Sequence, residues 1–229
     1  VLSIIIPVYN EEETLPSLLE TLSVLLNDGS CEVLVVDGGA SQQIRNVCGQ
    51  YSVEYISSNV GRAVQMNAGA AQAKSEVLYF LHADSELPSG FLESILRAKQ
   101  KGIDAGCFRL RFYPAHPILD FYAWFTRFDI NLFRFGDQSL FIKKEVFQEI
   151  GGFDESLQVM EDQEIIHRIK KVATFKVLED SIGTSARKYE QVGRLRLQWI
   201  FIGVVVLYYL GISQSIIKDF YLKQLQLYR

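Results

Sequence analysis

Along the first hundred residues, short runs of aliphatic and β-branched side chains alternate with stretches whose apolar positions recur at three- and four-residue spacing. Leu2 to Ile6, Glu32 to Val36, Val53 to Ser57 and Val77 to Leu81 read as strands. Between and after them, Glu11 to Leu26, Ser41 to Gln50, Arg62 to Ala73 and Phe91 to Lys101 read as helices. Strands separated by helices of this length imply right-handed crossovers, hence a mostly parallel, Rossmann-like α/β sheet with helices on both faces. Asn10 with Glu13 three residues on is a capping-box pattern for the start of the first helix.

After Gly102 the pattern changes. Cys107 to Phe112 alternates like a strand, Ile118, Phe121, Tyr122, Phe125 and Phe128 fall at helical spacing, and Ser139 to Ile142 reads as another strand. Gly151-Gly152 closes a short helix, and Met160-Glu161-Asp162 opens one that runs through Lys171. The pattern predicts one α/β domain over residues 1–190 and a helical extension over 191–229.

That extension contains the longest apolar run, Trp199 to Ile212, which is shorter than the roughly 20 residues a membrane-spanning helix needs. It is apolar all round, with Trp199, Tyr208 and Tyr209 near its ends. Ser213 then restarts a helix on which Ile216, Ile217, Phe220 and Leu225 share a face while Lys218 and Lys223 stay solvated. Such a segment packs on the core, pairs with a second copy in a homodimer, or lies peripherally on a membrane. The rings between Phe121 and Phe135 exceed what one short helix needs for packing and tilt the reading toward a greasy surface on the acceptor side.

With 229 residues and 48% apolar content, a full core can be buried. The formal charge of -4 and pI near 5.5 give no reason to approach a polyanion, so no nucleic-acid partner is expected. Cys31, Cys48 and Cys107 are odd in number and far apart, which argues against a disulfide framework or a zinc site. No basic segment precedes Leu2, so no signal peptide is read, and a cytoplasmic setting is expected, with peripheral contact at the inner face of the membrane.

In open α/β sheets ligands gather outside the carboxyl ends of the strands, which would bring Pro7 to Asn10, Asp37 to Gly39 and His82-Ala83-Asp84 to one rim. Neither a G-x-G-x-x-G fingerprint nor a P-loop follows the first strand, which disfavours hydride transfer and P-loop phosphoryl transfer. What the rim offers is separated carboxylates. A diphosphate leaving group departs easily when a hard cation or cationic side chains take up its charge, and Asp84 is the best-placed ligand for Mn²⁺ or Mg²⁺. As a turn acid in Asp84-Ser85-Glu86-Leu87-Pro88 it would need no such role.

Asp37 is a turn former before Gly38 or an acceptor for a base or ribose. Glu161, Asp162 and Glu164 complement the dipole of the helix they open, and the same dipole keeps Asp162 ionised as a general base requires. Arg62, at a helix start, can hold phosphate. Gly136-Asp137-Gln138 is a turn or a set of ligands for sugar hydroxyls, and Arg187 opens a basic stretch that folds over a diphosphate or stays a loop. His116 and His167 are read as structural.

Ile4 to Glu11, Val35 to Gly39, Phe80 to Asp84, Gly151-Gly152-Phe153 and Met160-Glu161-Asp162, in this order, resemble the family 2 glycosyltransferases of GT-A fold over about residues 1 to 180. Within that family, Gly61 to Gly69, His82-Ala83-Asp84, Gly136-Asp137-Gln138 and Met160 to Glu164 resemble a small bacterial subgroup named for arsenosugar biosynthesis. The resemblance implies that Pro7, Tyr9, Glu11 and Asp37 surround a uridine and that Arg62, Asn67, His82 and Ala83 lie on the donor side. It further implies that Asp84 binds the metal and that Asp162 is the base of the Glu161-Asp162 pair. His82 stands where the family often has an acid, and the family's longer acidic motif is here Asp37-Gly38-Gly39-Ala40.

The implied reaction is inverting transfer from a UDP-sugar to an acceptor hydroxyl. A sugar nucleotidyltransferase would want a Gly-rich basic loop where Pro7 to Glu13 is acidic, and a non-catalytic nucleotide-sugar binder at a membrane is the other alternative.

Overall fold

The computed structural model describes residues 2–226. Its first half runs β1 (Leu2–Val8), α1 (Leu15–Asn27), β2 (Cys31–Asp37), α2 (Gln42–Tyr51), β3 (Glu54–Ser57), α3 (Arg62–Gln72), β4 (Val77–Phe80) and α4 (Phe91–Gln100). Its second half runs β5 (Ala105–Tyr113), α5 (Pro117–Trp124), β6 (Leu140–Lys143), α6 (Lys144–Glu149), α7 (Glu161–Val172), β7 (Phe175–Ser185), α8 (Arg187–Val192), α9 (Arg194–Tyr209) and α10 (Gln214–Gln226).

The seven strands form one sheet in the order β3-β2-β1-β4-β6-β5-β7. β6 is antiparallel to both its neighbours, and the remaining pairings are parallel. The expected mostly parallel α/β sheet is what forms. The apolar runs of β1 and β2 are unbroken because both faces are covered. Ile4, Ile6, Val33 and Val35 pack on one side with Leu15, Leu19 and Ile44, while Ile5, Leu34 and Val36 pack on the other with Met66, Phe147 and Ile165.

Pro7 is tolerated in this central strand because β4 pairs only with Leu2 to Ile5. Ile5 accepts from the Leu81 amide, so its side of β1 faces β4, and two residues on, Pro7 has outrun that neighbour.

Three local readings need correction. First, α1 begins at Leu15 and not at Glu11: Asn10 takes a left-handed φ of 57° and Glu11 to Thr14 form a turn, so the Asn10–Glu13 capping box does not form. Pro16, in the first turn of α1, has no amide to lose there. Second, the helix begun near Ile118 stops at Trp124, and the chain continues through 3-10 turns at Phe125–Arg127, Asn131–Phe133 and Gly136–Gln138.

Third, the apolar pattern predicts no strand over Phe175–Ser185, where β7 forms. Its pairing with β5 shifts register between Cys107 and Arg109, which breaks the alternation around Glu179 and Asp180 that a two-residue period would show.

The extension packs against the rest. Leu197 is fully buried in the main core, Ile200 and Val204 lie on the same side of α9, and Ile217 anchors α10. Ile216 is exposed, so the buried face of α10 differs from the one expected. Among the described residues, no helix is long and apolar enough to cross a membrane.

Candidate active site

The rim at the carboxyl ends of β1, β2 and β4 is built by side chains that satisfy strand-end backbone. The buried Gln65 amide on α3 donates to the carbonyls of Val8 and Val36, both at 2.8 Å, and so locks the ends of β1 and β2 together. Asp37, fully buried, accepts from the amides of Gly39 (2.7 Å) and Ser41 (2.6 Å) and from the Tyr55 hydroxyl (3.1 Å). After β4 the chain turns, with the Ser85 amide on the His82 carbonyl at 3.2 Å, and the Tyr113 hydroxyl holds the Asp84 carbonyl at 2.7 Å. Backbone bonds between Glu86 and Gly183 tie this turn to β7.

Arg62, at the first position of α3, lies between the two halves of the site. Its Nη1 is 3.4 Å from Glu161 Oε1 and 3.6 Å from Asp162 Oδ2, and its Nη2 is 3.0 Å from His82 Nδ1. Burial opposes its charge, but Glu161, Asp162 and Asp137 outweigh that and hold the guanidinium protonated. The same burial, with the Arg62 charge beside it, pushes His82 well below the usual imidazole range and leaves the ring neutral.

Asp162 sits against the loop before β6. Its carboxylate accepts a backbone hydrogen bond from Gly136, and a Cβ at that glycine would fall on Oδ2 and lie 2.8 Å from Cγ. Only glycine allows this approach. Burial first and the neighbouring Glu161 second push Asp162 up to about 7, against the pull of Arg62 and of the Gly136 amide. Asp137, one residue on, is raised by burial and by Asp84 while Arg62, Lys188 and the Thr184 hydroxyl pull it down. Asp84 is raised by burial and then by Glu11, with Arg62 and Arg187 opposing.

Glu11 therefore belongs to the same electrostatic group as Asp84, Asp137 and Arg62. Beside it, Asn10 to Thr14, Gln43 and Arg187 line an open cleft of ≈ 460 Å³. The residues suit a cation shared with a substrate better than a caged one: Asp84 is a half-buried carboxylate repelled by Glu11, and no group of three ligating side chains forms among the described residues. One or two carboxylates plus phosphate oxygens is a usual set for Mg²⁺.

Residues 3–153 match the model of Glycosyl transferase family 2. The chain belongs to that family. It is 25% identical over 190 residues to an uncharacterized glycosyltransferase of Haemophilus influenzae, an alignment covering 76% of this chain and 63% of the relative. It is 31% identical over 112 residues to the undecaprenyl-phosphate 4-deoxy-4-formamido-L-arabinose transferase of Pseudomonas fluorescens, covering 44% of this chain and 33% of the relative. The chain thus spans less than two thirds of either relative. In fold it is similar to glucosyl-3-phosphoglycerate synthase from Mycobacterium tuberculosis, solved with Mn²⁺, UDP and glucosyl-3-phosphoglycerate, at TM-score 0.62 and 16% identity over 94% of this chain and 81% of that one.

In this member of the family several expected site residues are engaged otherwise than expected. Asn67 is turned to the loop before α7, donating to the Phe153 carbonyl and Glu155 and accepting from the Phe153 amide, all at 2.9 Å. Gln138 corrects the reading of Gly136-Asp137-Gln138 as three sugar ligands: it is buried beneath the rim, its amide donating to the Phe108 carbonyl at 3.0 Å and accepting from the Phe135 amide at 3.1 Å. Both carboxylate oxygens of Asp37 are engaged by its own loop, which is the turn-forming role. Ala83 is buried and Pro7 half-buried in the rim, whereas Tyr9 is exposed at its edge. Gln65 and Tyr113 went unnoticed in the sequence, because a lone amide on a helix and a strand tyrosine signal nothing until the strand ends they hold are known.

Proposed function

We propose that this glycosyltransferase moves a sugar from a UDP-sugar to an acceptor hydroxyl with inversion, Asp162 acting as base. The observation that carries the reading is Asp162 pressed on Gly136 and facing Arg62, with its carboxyl at about 7, where a base is about half ionised and still basic near neutrality. The acceptor proton passes to the Asp162 carboxylate as the acceptor oxygen bonds to the anomeric carbon, and the bond to the diphosphate breaks with its electrons leaving on UDP. One base and one displacement suffice; retention by double displacement would need a nucleophile on the opposite face.

Arg62, between His82 and the Glu161–Asp162 pair, would hold the diphosphate. Asp84 would hold Mn²⁺ or Mg²⁺ together with donor phosphate oxygens, and when bound the ion supplies charge neutralisation for the leaving group. Tyr9, Glu11 and the Asp37 loop would surround the base and ribose, Asp137 the transferred sugar, and Arg187 the open side of the cleft. The fold relative solved with UDP and Mn²⁺ supports the donor, and the relative named for undecaprenyl-phosphate supports an acceptor carried on a membrane lipid.

Thermal stabilisation by a panel of nucleotides and nucleotide sugars, with and without Mn²⁺, tests the donor. UDP and one UDP-sugar should raise the midpoint in the presence of the ion, and turnover should give the inverted anomer. Stabilisation by no uridine nucleotide, or a retained anomer, would refute the reading.

A further inference from the structure

Helix α9 has two apolar faces where packing needs one. Leu197, Ile200 and Val204 are buried. On the opposite side Leu195, Trp199, Ile202, Val206 and Tyr209 recur at intervals of four, three, four and three residues and all are exposed, Trp199 at 70%. The stripe continues into a second apolar surface. Tyr209 donates to Gln163 Oε1 at 3.3 Å, and Gln163 Nε2 donates to the carbonyl of Leu132 at 3.3 Å. Leu132, Ile130, Phe128 and Trp124 are all exposed in that loop. Its last ring, the exposed Phe135, lines a small cavity with Gly136, His82 and Asp162. The apolar surface therefore ends at the proposed base.

Charge distinguishes the occupant. From residue 191 onward the chain carries five Lys and Arg against one Asp, whereas residues 1–190 carry eighteen Lys and Arg against twenty-six Asp and Glu. A basic, aromatic-rich segment beside exposed apolar side chains complements an anionic lipid surface. A second copy would set two such basic segments against each other, and a helix seam along α9 would leave the rings of the 124–132 loop in water.

We propose that this face docks on an anionic phospholipid bilayer, so that an acceptor embedded there meets Asp162 at the edge of the lipid. The acceptor part rests on the transfer reaction proposed above; the docking does not. Flotation of the intact chain with phosphatidylglycerol-containing vesicles, against phosphatidylcholine alone, tests it, with Mn²⁺-dependent UDP binding measured on the same samples.

The chain should float with the anionic vesicles and be released by salt. Trp199→Ser and Leu195→Ser, both at exposed positions, should each weaken partitioning by about tenfold, and Lys218→Gln and Lys223→Gln by about fivefold each with anionic vesicles only. UDP affinity should be unchanged in all four. A chain that stays in the soluble fraction at low salt, or whose flotation ignores Trp199→Ser, overturns the docking, as does a stable dimer that Trp199→Ser dissociates. Flotation without UDP binding would instead defeat the donor reading and leave the docking intact.

Discussion

Replacing Asp162 by Asn should abolish most of the turnover and at the same time stabilise the protein above neutral pH. The carboxyl is pushed from 3.8 up to about 7, by burial and then by Glu161. A rise of that size corresponds to roughly 4 kcal/mol for holding the anion in the native state. Because the native pKa is raised, the folded protein keeps a proton that the unfolded chain has released between about pH 4 and 7. The stability this confers is fully present below pH 4 and is lost as pH rises through 7.

At about pH 8 the wild type therefore carries an unfavourable anion that Asn does not. Asn retains an oxygen for the Gly136 amide, but it deprives Arg62 of one of its two carboxylates, which offsets part of the gain. A net stabilisation on the order of 1–3 kcal/mol at pH 8, shrinking toward zero at pH 4, is expected. Turnover should fall by about 10²–10⁴-fold, and the acid limb near pH 7 expected of kcat/KM in the wild type should be absent from the variant. Urea unfolding of both proteins at the two pH values, beside steady-state rates, measures this. An Asn variant that is no more stable than wild type at pH 8, or that keeps full activity, would refute the reasoning.

Gly136→Ala puts a Cβ onto the Asp162 carboxylate, so kcat should drop by about tenfold or more while UDP affinity by calorimetry holds; unchanged kcat would mean that the carboxylate has room to move. Gln65→Leu takes the side-chain donor from the Val36 carbonyl and one of two donors from the Val8 carbonyl, which keeps the Gly38 amide, and should lower stability by about 1–3 kcal/mol in denaturant unfolding. A loss under about 0.5 kcal/mol would show that the strand ends do not need the bridge. Asp84→Asn should remove the Mn²⁺-dependent part of UDP affinity and leave the metal-independent part. Unchanged metal dependence in a titration would assign the cation to other ligands.

The fold was legible where one periodicity ran uninterrupted. β1, β2, α2, α3 and α4 lie within one or two residues of where the apolar spacing puts them, because each buries a regular stripe or two full faces. It was illegible where the backbone departs from a period. The left-handed Asn10 moved the start of α1 by four residues, and the bulged stretch opposite Cys107 to Arg109 concealed β7. Of the site, the rim residues and the opening of α7 followed from strand ends and a helix dipole, and the juxtaposition of Arg62, Glu161 and Asp162 required the tertiary fold. Asn67 and Gln138 lie in stretches that resemble family motifs, yet here each amide is consumed by neighbouring backbone. Motif membership does not distinguish a side chain that meets the substrate from one that shapes the loop beside it.

The stretch between α5 and β6 shows why such shaping residues sit so near the chemistry. A loop that brings a backbone amide onto a carboxylate must not drift, since misplacement by an ångström at a base is costly. Before Gly136, the fully buried Arg134 gathers the carbonyls of Thr126 and Phe128 and the Cys107 thiol at 3.1 Å. After it, Gln138 ties the Phe135 amide to the carbonyl of Phe108 on β5. Gly136 and Asp137 are thus held between two buried anchors on the same strand. The exposed rings of this loop are free of that duty: Trp124 and Phe128 contact each other at 4.8 Å between ring centres while both remain exposed, and Arg127 stacks on Trp124 at 4.9 Å. One short segment therefore carries an inner edge that positions the proposed base and an apolar outer edge that stays exposed, because the buried polar bonds hold its backbone, Phe128 included, and leave the outer side chains unpacked.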